Sequence, residues 1–210
     1  MPAIEPTTRT QAERSALSDS RLVTAAIRLI VERGTEKTTL RALGEAAGYS
    51  RGLVTYRFGS KTGLFKAVIK SVSDRWLTQM QASVEDRTGL DAILATTGSY
   101  FDFVMRSPED IRAMRILFHQ ASEPGSGLED IVNRVHKLQR EQVADWVADG
   151  QAAGNIAAHV NAPSFAVRYV ACIEGLTFFW MIEHEGIEWR QVRDDMVAQV
   201  RRELTRPDDR

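Results

Sequence analysis

Hydrogen-bonding side chains are concentrated in a short stretch between Ser50 and Lys61. Arg51 supplies a guanidinium group, which can accommodate the two acceptors of a guanine in the DNA major groove. Gly52 has no side chain, so the backbone can come close to another molecule there. Thr55 has a hydroxyl and a methyl group, which can meet a base edge or a thymine methyl. These residue types favour recognition of bases in a DNA duplex.

A second group of polar residues suits phosphate oxygens. Tyr56, Arg57 and Lys61 can contact phosphates, which position a protein on DNA without reading its sequence. Thr39 combines a hydroxyl with the free N–H groups of a helix start, and both can bind a phosphate oxygen. The predicted DNA-contact residues are Thr39, Ser50, Arg51, Gly52, Thr55, Tyr56, Arg57 and Lys61.

Two short helices are predicted to position these residues. Apolar residues recur at helical spacing after Thr39, which can cap the first helix, and Gly48 ends it where a left-handed residue is needed. Ser50 can then cap a second helix. The apolar side of that helix consists of Leu53, Val54 and Phe58. This pattern predicts a helix-turn-helix motif, whose second helix enters the major groove.

The stretch from Thr39 to Phe65 resembles the DNA-binding signature of the tetracycline-repressor-type (TetR) transcriptional regulators. The resemblance rests on Gly48-Tyr-Ser-Arg-Gly and on Phe58-Gly-Ser-Lys61 before Leu64-Phe65. Two positions depart from the family pattern, because Thr55 stands where tyrosine is usual and Arg57 where histidine is common. The resemblance implies a ligand-responsive homodimeric repressor that binds an inverted-repeat operator. A transcriptional activator of the same family is the alternative.

Charge is divided unevenly along the 210 residues, although the net charge is only −1. Residues 14–70 contain eleven Lys and Arg against four Asp and Glu, whereas residues 71–210 contain fifteen against twenty-two. A basic head on an acidic body is expected of a DNA-binding regulator. We therefore predict a mobile arm and helix start over 1–19, a helix-turn-helix domain over 20–66 and a regulatory domain over 67–210. Arg9 and Arg14 are expected to reach towards DNA.

Helical periodicity continues through the rest of the chain, and no convincing strand or internal repeat occurs. We predict an all-α fold with about nine helices, the number that the family resemblance also implies. After a first helix ended by Gly34, a long helix capped by Ser60 is expected to link the two domains, with Leu77 on its inner side. The predicted helices from there onward cover Lys61 to about Val84, Leu90–Arg106, a segment beginning at Pro108, Leu128 to about Ala153, about Ser164–His184 and Trp189–Leu204.

The helix ending at His184 is apolar on all sides, so both of its faces must be covered. With the helix after it, it would form a four-helix interface between two subunits, as in the proteins that this chain resembles. The alternative is that both helices are internal to one subunit. The predicted interface residues are Phe178, Trp180, Met181, Trp189, Val192, Met196 and Val200.

The family resemblance also implies a ligand cavity between the long linking helix and its neighbours. Aromatic and methionine side chains suit an adaptable apolar site, so we expect a mostly apolar small molecule as effector. His119 and Arg168 are the polar candidates. The predicted lining residues are Trp76, Met80, Phe101, Met105, Phe118, His119, Trp146, Arg168, Tyr169 and Cys172.

Other function classes have little support in the sequence. The four histidines lack metal-ligand spacing, and Cys172 has no evident base beside it, so we expect neither an enzyme, a metal site nor a cofactor. The single cysteine forbids an internal disulfide and is consistent with a cytoplasmic location. No run of eighteen apolar residues and no signal sequence are found, so no membrane span is expected. A helical ligand-binding protein that does not bind DNA remains an alternative.

Overall fold

The computed structural model describes residues 11–183 and 185–205, with side chains from residue 17 onward except that of residue 184. The predicted arm over residues 1–9, including Arg9, and the side chain of Arg14 lie outside the described residues. The same holds for His184, at which the predicted apolar helix ends.

The described residues form nine α-helices and no β-strand, which confirms the predicted all-α fold. The chain divides into two compact units, Met1–Val68 and Ile69–Arg210. The helices are α1 (Gln11–Lys37), α2 (Leu40–Ala47), α3 (Arg51–Phe58), α4 (Lys61–Val84), α5 (Gly89–Arg106), α6 (Pro108–Gln120), α7 (Glu129–Ala152), α8 (Ala162–Ile182) and α9 (Trp189–Thr205).

In the first unit, α2 packs against both α1 and α3. The backbone leaves helical geometry at Gly34, with φ 76° and ψ 170°, where the sequence predicted the helix end. Helical structure resumes after this kink and reaches Lys37. The core of the unit contains fully buried aliphatic side chains, among them Leu22, Leu43 and Val54. These contacts hold the two short helices against α1.

In the second unit, α5 packs against α7 and α9, and α7 packs against α8. Most side chains of α5 are buried, which explains its central position in this unit. Leu77 of α4 was predicted to be internal but is 46% exposed. Its side chain lines a cavity of the second unit that is described below, so it is not enclosed in the core.

The last two helices differ from the interface prediction at two residues. Met196 and Val200 lie one helical turn apart and are buried within their own unit, where α9 packs against α5. Phe178 is 53% exposed, and Trp180, Met181, Trp189 and Val192 are half-buried. Three further exposed residues of α8 were not predicted to be at the interface: Val167, Phe179 and Ile182. The exposed apolar surface is therefore on α8 rather than on the buried stripe of α9.

One helix among the described residues, α8, is long and apolar enough to cross a membrane by length and composition alone. Its most apolar window has a mean hydropathy of 1.5, and 28% of that window is buried. The sequence contains no uninterrupted run of eighteen apolar residues, because Arg168 and Glu174 lie within this helix. The mean hydropathy of the window is nevertheless high, because an average tolerates isolated charges. A single helix of this kind is weak evidence for a membrane span, because a helix of a soluble protein can pass the same test.

Candidate nucleic-acid interface and ligand cavity

Hydroxyl side chains cap three successive helices in the first unit. The Thr39 hydroxyl accepts a hydrogen bond from the backbone N–H of Ala42 at 3.0 Å, and that of Ser50 accepts from Leu53 at 3.2 Å. The Ser60 hydroxyl accepts from the N–H of Gly63 at 3.0 Å. Because a capping hydroxyl accepts through its oxygen, its own hydrogen stays available to donate elsewhere. Thr39 and Ser50 can therefore cap and still donate to a phosphate.

Glycines permit the tight junctions on both sides of α3. Gly48 adopts the left-handed conformation predicted for it, with φ 74° and ψ 29°. A Cβ atom added to Gly44 would lie 2.7 Å from the carbonyl oxygen of Tyr49, and one added to Gly63 would lie 2.0 Å from that of Phe58. The roles of Gly44 and Gly63 could not be predicted from the sequence, because close approach of another backbone segment leaves no local signal.

Four of the predicted DNA-contact residues lie on exposed positions of α3. These are Arg51, Gly52, Thr55 and Tyr56, and the Tyr56 side chain is 84% exposed. Arg51 forms no ion pair with any carboxylate of the described residues. Gly52 is open, because the nearest atom to an added Cβ would be the Ser50 hydroxyl at 3.9 Å. This surface offers a cation, hydrogen-bonding groups and a close backbone approach.

Arg57 is oriented differently from its neighbours on α3. Its Nη1 donates to Oδ2 of Asp19 on α1 at 3.2 Å, and 26% of its side chain is exposed. The ion pair joins residues 38 positions apart and occupies part of the guanidinium that was predicted to contact phosphate. In the structure, Arg57 braces α3 against α1.

Lys61 also has a contact within the first unit. Its Nζ donates to the carbonyl oxygen of Glu36 at 3.1 Å and lies 5.8 Å from the centroid of the Phe65 ring. An ammonium group has three N–H donors, and one is used by this carbonyl. Lys61 can therefore retain its link to the end of α1 while donating to another acceptor.

The second unit contains a cavity of about 360 Å³ between α4, α5, α6 and α7. Trp76, Met80 and Phe118 line it, as the sequence predicted. Trp76 and Met80 also line an adjacent space of about 60 Å³, together with Trp146 and Tyr169. Burial raises the pKa of Tyr169, whose hydroxyl lies 2.9 Å from that of Thr97.

Five predicted lining residues lie elsewhere. Phe101 and Met105 line a crevice of about 10 Å³ between α5, α8 and α9. His119 and Cys172 are exposed, and neither lines the cavity. Arg168 is also exposed and pairs with Glu203 at 2.6 Å. These five residues do not line the cavity in this structure, because residue type alone does not define the side of a helix that faces it.

Several lining residues were missed by the sequence analysis. Phe103, Arg115, Gln139 and Gln142 line the cavity, and Arg115 forms an ion pair with Glu174 of α8. Helical spacing could have identified Phe103, since it lies three positions after Tyr100 on the same side of α5. Burial lowers the pKa of Arg115, although contact with Tyr100 opposes this shift. No group of three His, Cys, Asp or Glu side chains in the described ranges could hold a metal ion.

Comparison with known proteins places this geometry in context. Residues 22–68 match the family model described as bacterial regulatory proteins, tetR family. The chain is 23% identical over 184 residues to the HTH-type transcriptional regulator TtgR of Pseudomonas putida, covering 84% of this chain and 86% of TtgR.

Two solved structures share the fold. NalD of Pseudomonas aeruginosa, described as the secondary repressor of the MexAB-OprM multidrug efflux pump, has a TM-score of 0.74 at 18% identity. That match covers 93% of this chain and all of NalD. SmeT in complex with triclosan has a TM-score of 0.76 at 16% identity, with 88% of this chain and 90% of SmeT covered. With its capped and exposed α3 inside the matched segment, the chain contains a tetR-family DNA-binding domain and is similar to TetR-family transcriptional regulators over most of its length.

Proposed function

We propose that this regulator is a homodimeric repressor that releases its operator when a small, mostly apolar molecule occupies the cavity of the second unit. The observation that carries the proposal is that α4 is one continuous helix from Lys61 to Val84. It begins directly after the α3 segment, and it contributes Trp76 and Met80 to the cavity. A ligand that favours one position of α4 can therefore change DNA affinity.

On DNA, Arg51 acts as the base-reading residue, and Gly52 allows α3 to approach the groove. Thr55 meets a base edge or a thymine methyl, and Tyr56 contacts phosphate. The exposure of these four residues supports these roles. Arg57 acts mainly as a brace, because its guanidinium is bound to Asp19. Thr39, Ser50 and Lys61 supply additional donors to the phosphates.

The DNA roles can be tested by selecting duplexes from a random pool with the full chain and measuring the affinity of each variant. We expect an inverted repeat whose half-sites lie about one helical turn, or a small multiple, apart. Arg51→Ala should relax sequence preference and cost about 1–3 kcal/mol per half-site. Lys61→Ala should weaken selected and random duplexes alike and reduce the salt slope by about one per subunit.

The two variants serve as controls for each other. If Arg51→Ala weakened selected and random duplexes equally, Arg51 would not read bases. If Lys61→Ala changed only the selected duplex, Lys61 would not be a phosphate contact.

The dimer is proposed from the exposed apolar residues of α8. Val167, Phe178, Phe179 and Ile182 are each between 53% and 61% exposed. Clustered apolar exposure of this kind marks an interaction surface. A second copy that covers α8 would also present two α3 helices, as an inverted repeat requires.

Sedimentation at micromolar concentration tests this interface. Phe178→Glu should convert the dimer to monomer, because a carboxylate would be buried without a partner. Leu17→Glu is the control, since Leu17 is 36% exposed on α1 in the first unit, and it should leave the dimer intact. A monomeric unaltered chain would contradict the proposal, as would a dimeric Phe178→Glu chain.

Repression is proposed by analogy with NalD, and an apolar effector by analogy with SmeT and by the aromatic cavity. Operator DNA lies in the bacterial cytoplasm, so we propose that the protein acts there without a catalytic step. If a bound ligand tightened operator binding instead of weakening it, the proposed release would be wrong, and the ligand would promote DNA binding.

A further inference from the structure

We propose that the cavity selects an uncharged aromatic molecule that carries a neutral hydrogen-bonding group, and that the ion pair of Arg115 with Glu174 disfavours charged ligands. The inference rests on the proposed function only in treating this cavity as an effector site.

The walls of the cavity are suited to aromatic rings. Trp76 lies edge-on to Tyr100, with ring centroids 5.0 Å apart and an interplanar angle of 86°. The Trp76 and Phe103 ring centroids are 5.6 Å apart. Phe118 adds a further aromatic side chain. At about 360 Å³, the cavity falls within the usual size range of small-molecule sites.

The charged groups at the cavity already have partners of opposite charge. Arg115 pairs with Glu174, and their side chains are only 12% and 19% exposed. Asp74, which also lines the cavity, pairs with Lys70 at 2.6 Å. A carboxylate ligand that paired with Arg115 would leave Glu174 buried without a partner of opposite charge. An ammonium ligand that paired with Glu174 would leave Arg115 buried without one. Either exchange is unfavourable, because an unpaired buried charge is strongly destabilising.

Neutral hydrogen-bonding groups are available at the same cavity. Gln139 and Gln142 lie three positions apart on α7, so their side chains project from the same side of the helix. The side-chain amide oxygen of Gln139, Oε1, is buried and accepts no hydrogen bond from the described residues. A ligand hydroxyl or amide N–H could donate to it without adding charge. The lining therefore favours a neutral donor over an ionic group.

Three probes of similar shape can measure this preference: 4-phenylphenol, biphenyl-4-carboxylate and biphenyl-4-ylmethylammonium. At about pH 7 the first is neutral, the second is an anion and the third is a cation. Calorimetric titration of the full chain should give the tightest binding for 4-phenylphenol. Each ion should bind at least about tenfold more weakly, because binding would leave a charge unpaired.

Glu174→Gln tests the role of the ion pair directly. The substitution keeps the shape of the side chain but leaves Arg115 without a carboxylate partner, so the preferred probe should change to biphenyl-4-carboxylate. Glu203→Gln is the matched control, because Glu203 pairs with Arg168 at the surface, outside the cavity. It should leave the order of the three probes unchanged.

The inference would be overturned if an ion bound the unaltered chain as tightly as 4-phenylphenol, or if no probe bound. It would also be overturned if a folded Glu174→Gln chain kept the original order. Should that variant not fold, the probe order in the unaltered chain still decides. If 4-phenylphenol bound without changing operator affinity, the ligand class would stand and the proposed ligand response would fail. If only a charged probe released the operator, the proposed ligand response would stand and the inferred ligand class would fail.

Discussion

Replacing Gly52 by alanine should stabilise the fold and weaken DNA binding. Gly52 lies in the first turn of α3, and an added Cβ would be 3.9 Å from its nearest neighbour, the Ser50 hydroxyl. The substitution therefore causes no clash inside the protein. Alanine in a helix is favoured over glycine by about 0.5–1 kcal/mol, because the unfolded glycine backbone has more freedom to lose.

The expected change at DNA has the opposite sign. If α3 approaches the major groove at Gly52, the added methyl group must push the helix away from the bases. We expect a cost of about 1–3 kcal/mol per half-site, similar to the loss of one good base contact. This corresponds to a loss of about five- to 150-fold in half-site affinity.

Urea unfolding and fluorescence anisotropy on a selected duplex measure the two changes separately. Gly98→Ala is the matched control, because Gly98 lies within α5 in the second unit and has no atom within 4 Å of an added Cβ. It should raise stability and leave DNA affinity unchanged. If Gly52→Ala bound DNA as tightly as the unaltered chain, the close approach of α3 would be refuted. If Gly52→Ala lowered stability, the argument from open space around Gly52 would be wrong.

Three further predictions concern the stability of the fold, its dependence on pH and the salt dependence of DNA binding. Gly63→Ala should lower the unfolding free energy by about 1–3 kcal/mol in urea, because its Cβ would lie 2.0 Å from the Phe58 carbonyl oxygen; unchanged stability would contradict this close packing. Burial lowers the pKa of His136 from its ordinary 6.5, so the unfolded chain binds protons more readily and stability should fall as the pH drops below that value. His136→Gln should remove that part of the decline, and an identical pH profile would refute the assignment. Asp19→Asn should release Arg57 and steepen the salt dependence of binding to random duplexes, whereas an unchanged slope would mean that Arg57 stays on α1.

Local interactions explain why the end of α2 and the start of α3 could be predicted from the sequence. Ser50 caps the helix through its own hydroxyl, and Gly48 takes the left-handed conformation just before it. Both effects depend on residues a few positions apart. The contact between Arg57 and Asp19 could not be read in this way, because it exists only once α3 has packed in the first unit.

The cavity was harder to predict because α5 is apolar around most of its circumference. Phe101 and Phe103 are both aromatic, yet Phe103 lines the cavity and Phe101 lines the crevice beside α8 and α9. Two positions along a helix correspond to a rotation of about 200°, so packing rather than residue type decides which side faces a ligand. The same limit applies to α9, where Met196 and Val200 form part of the core.

The central claim is that the cavity and the DNA-binding surface are coupled through α4. The most direct test is a pair of titrations with the full chain: a selected operator with and without saturating 4-phenylphenol, and 4-phenylphenol with and without that operator. We expect the operator to bind more weakly when the probe is present, by about five- to 150-fold, and the probe to lose the same factor when the operator is present. Equal dissociation constants with and without the second ligand, for a probe that does bind, would contradict the coupling.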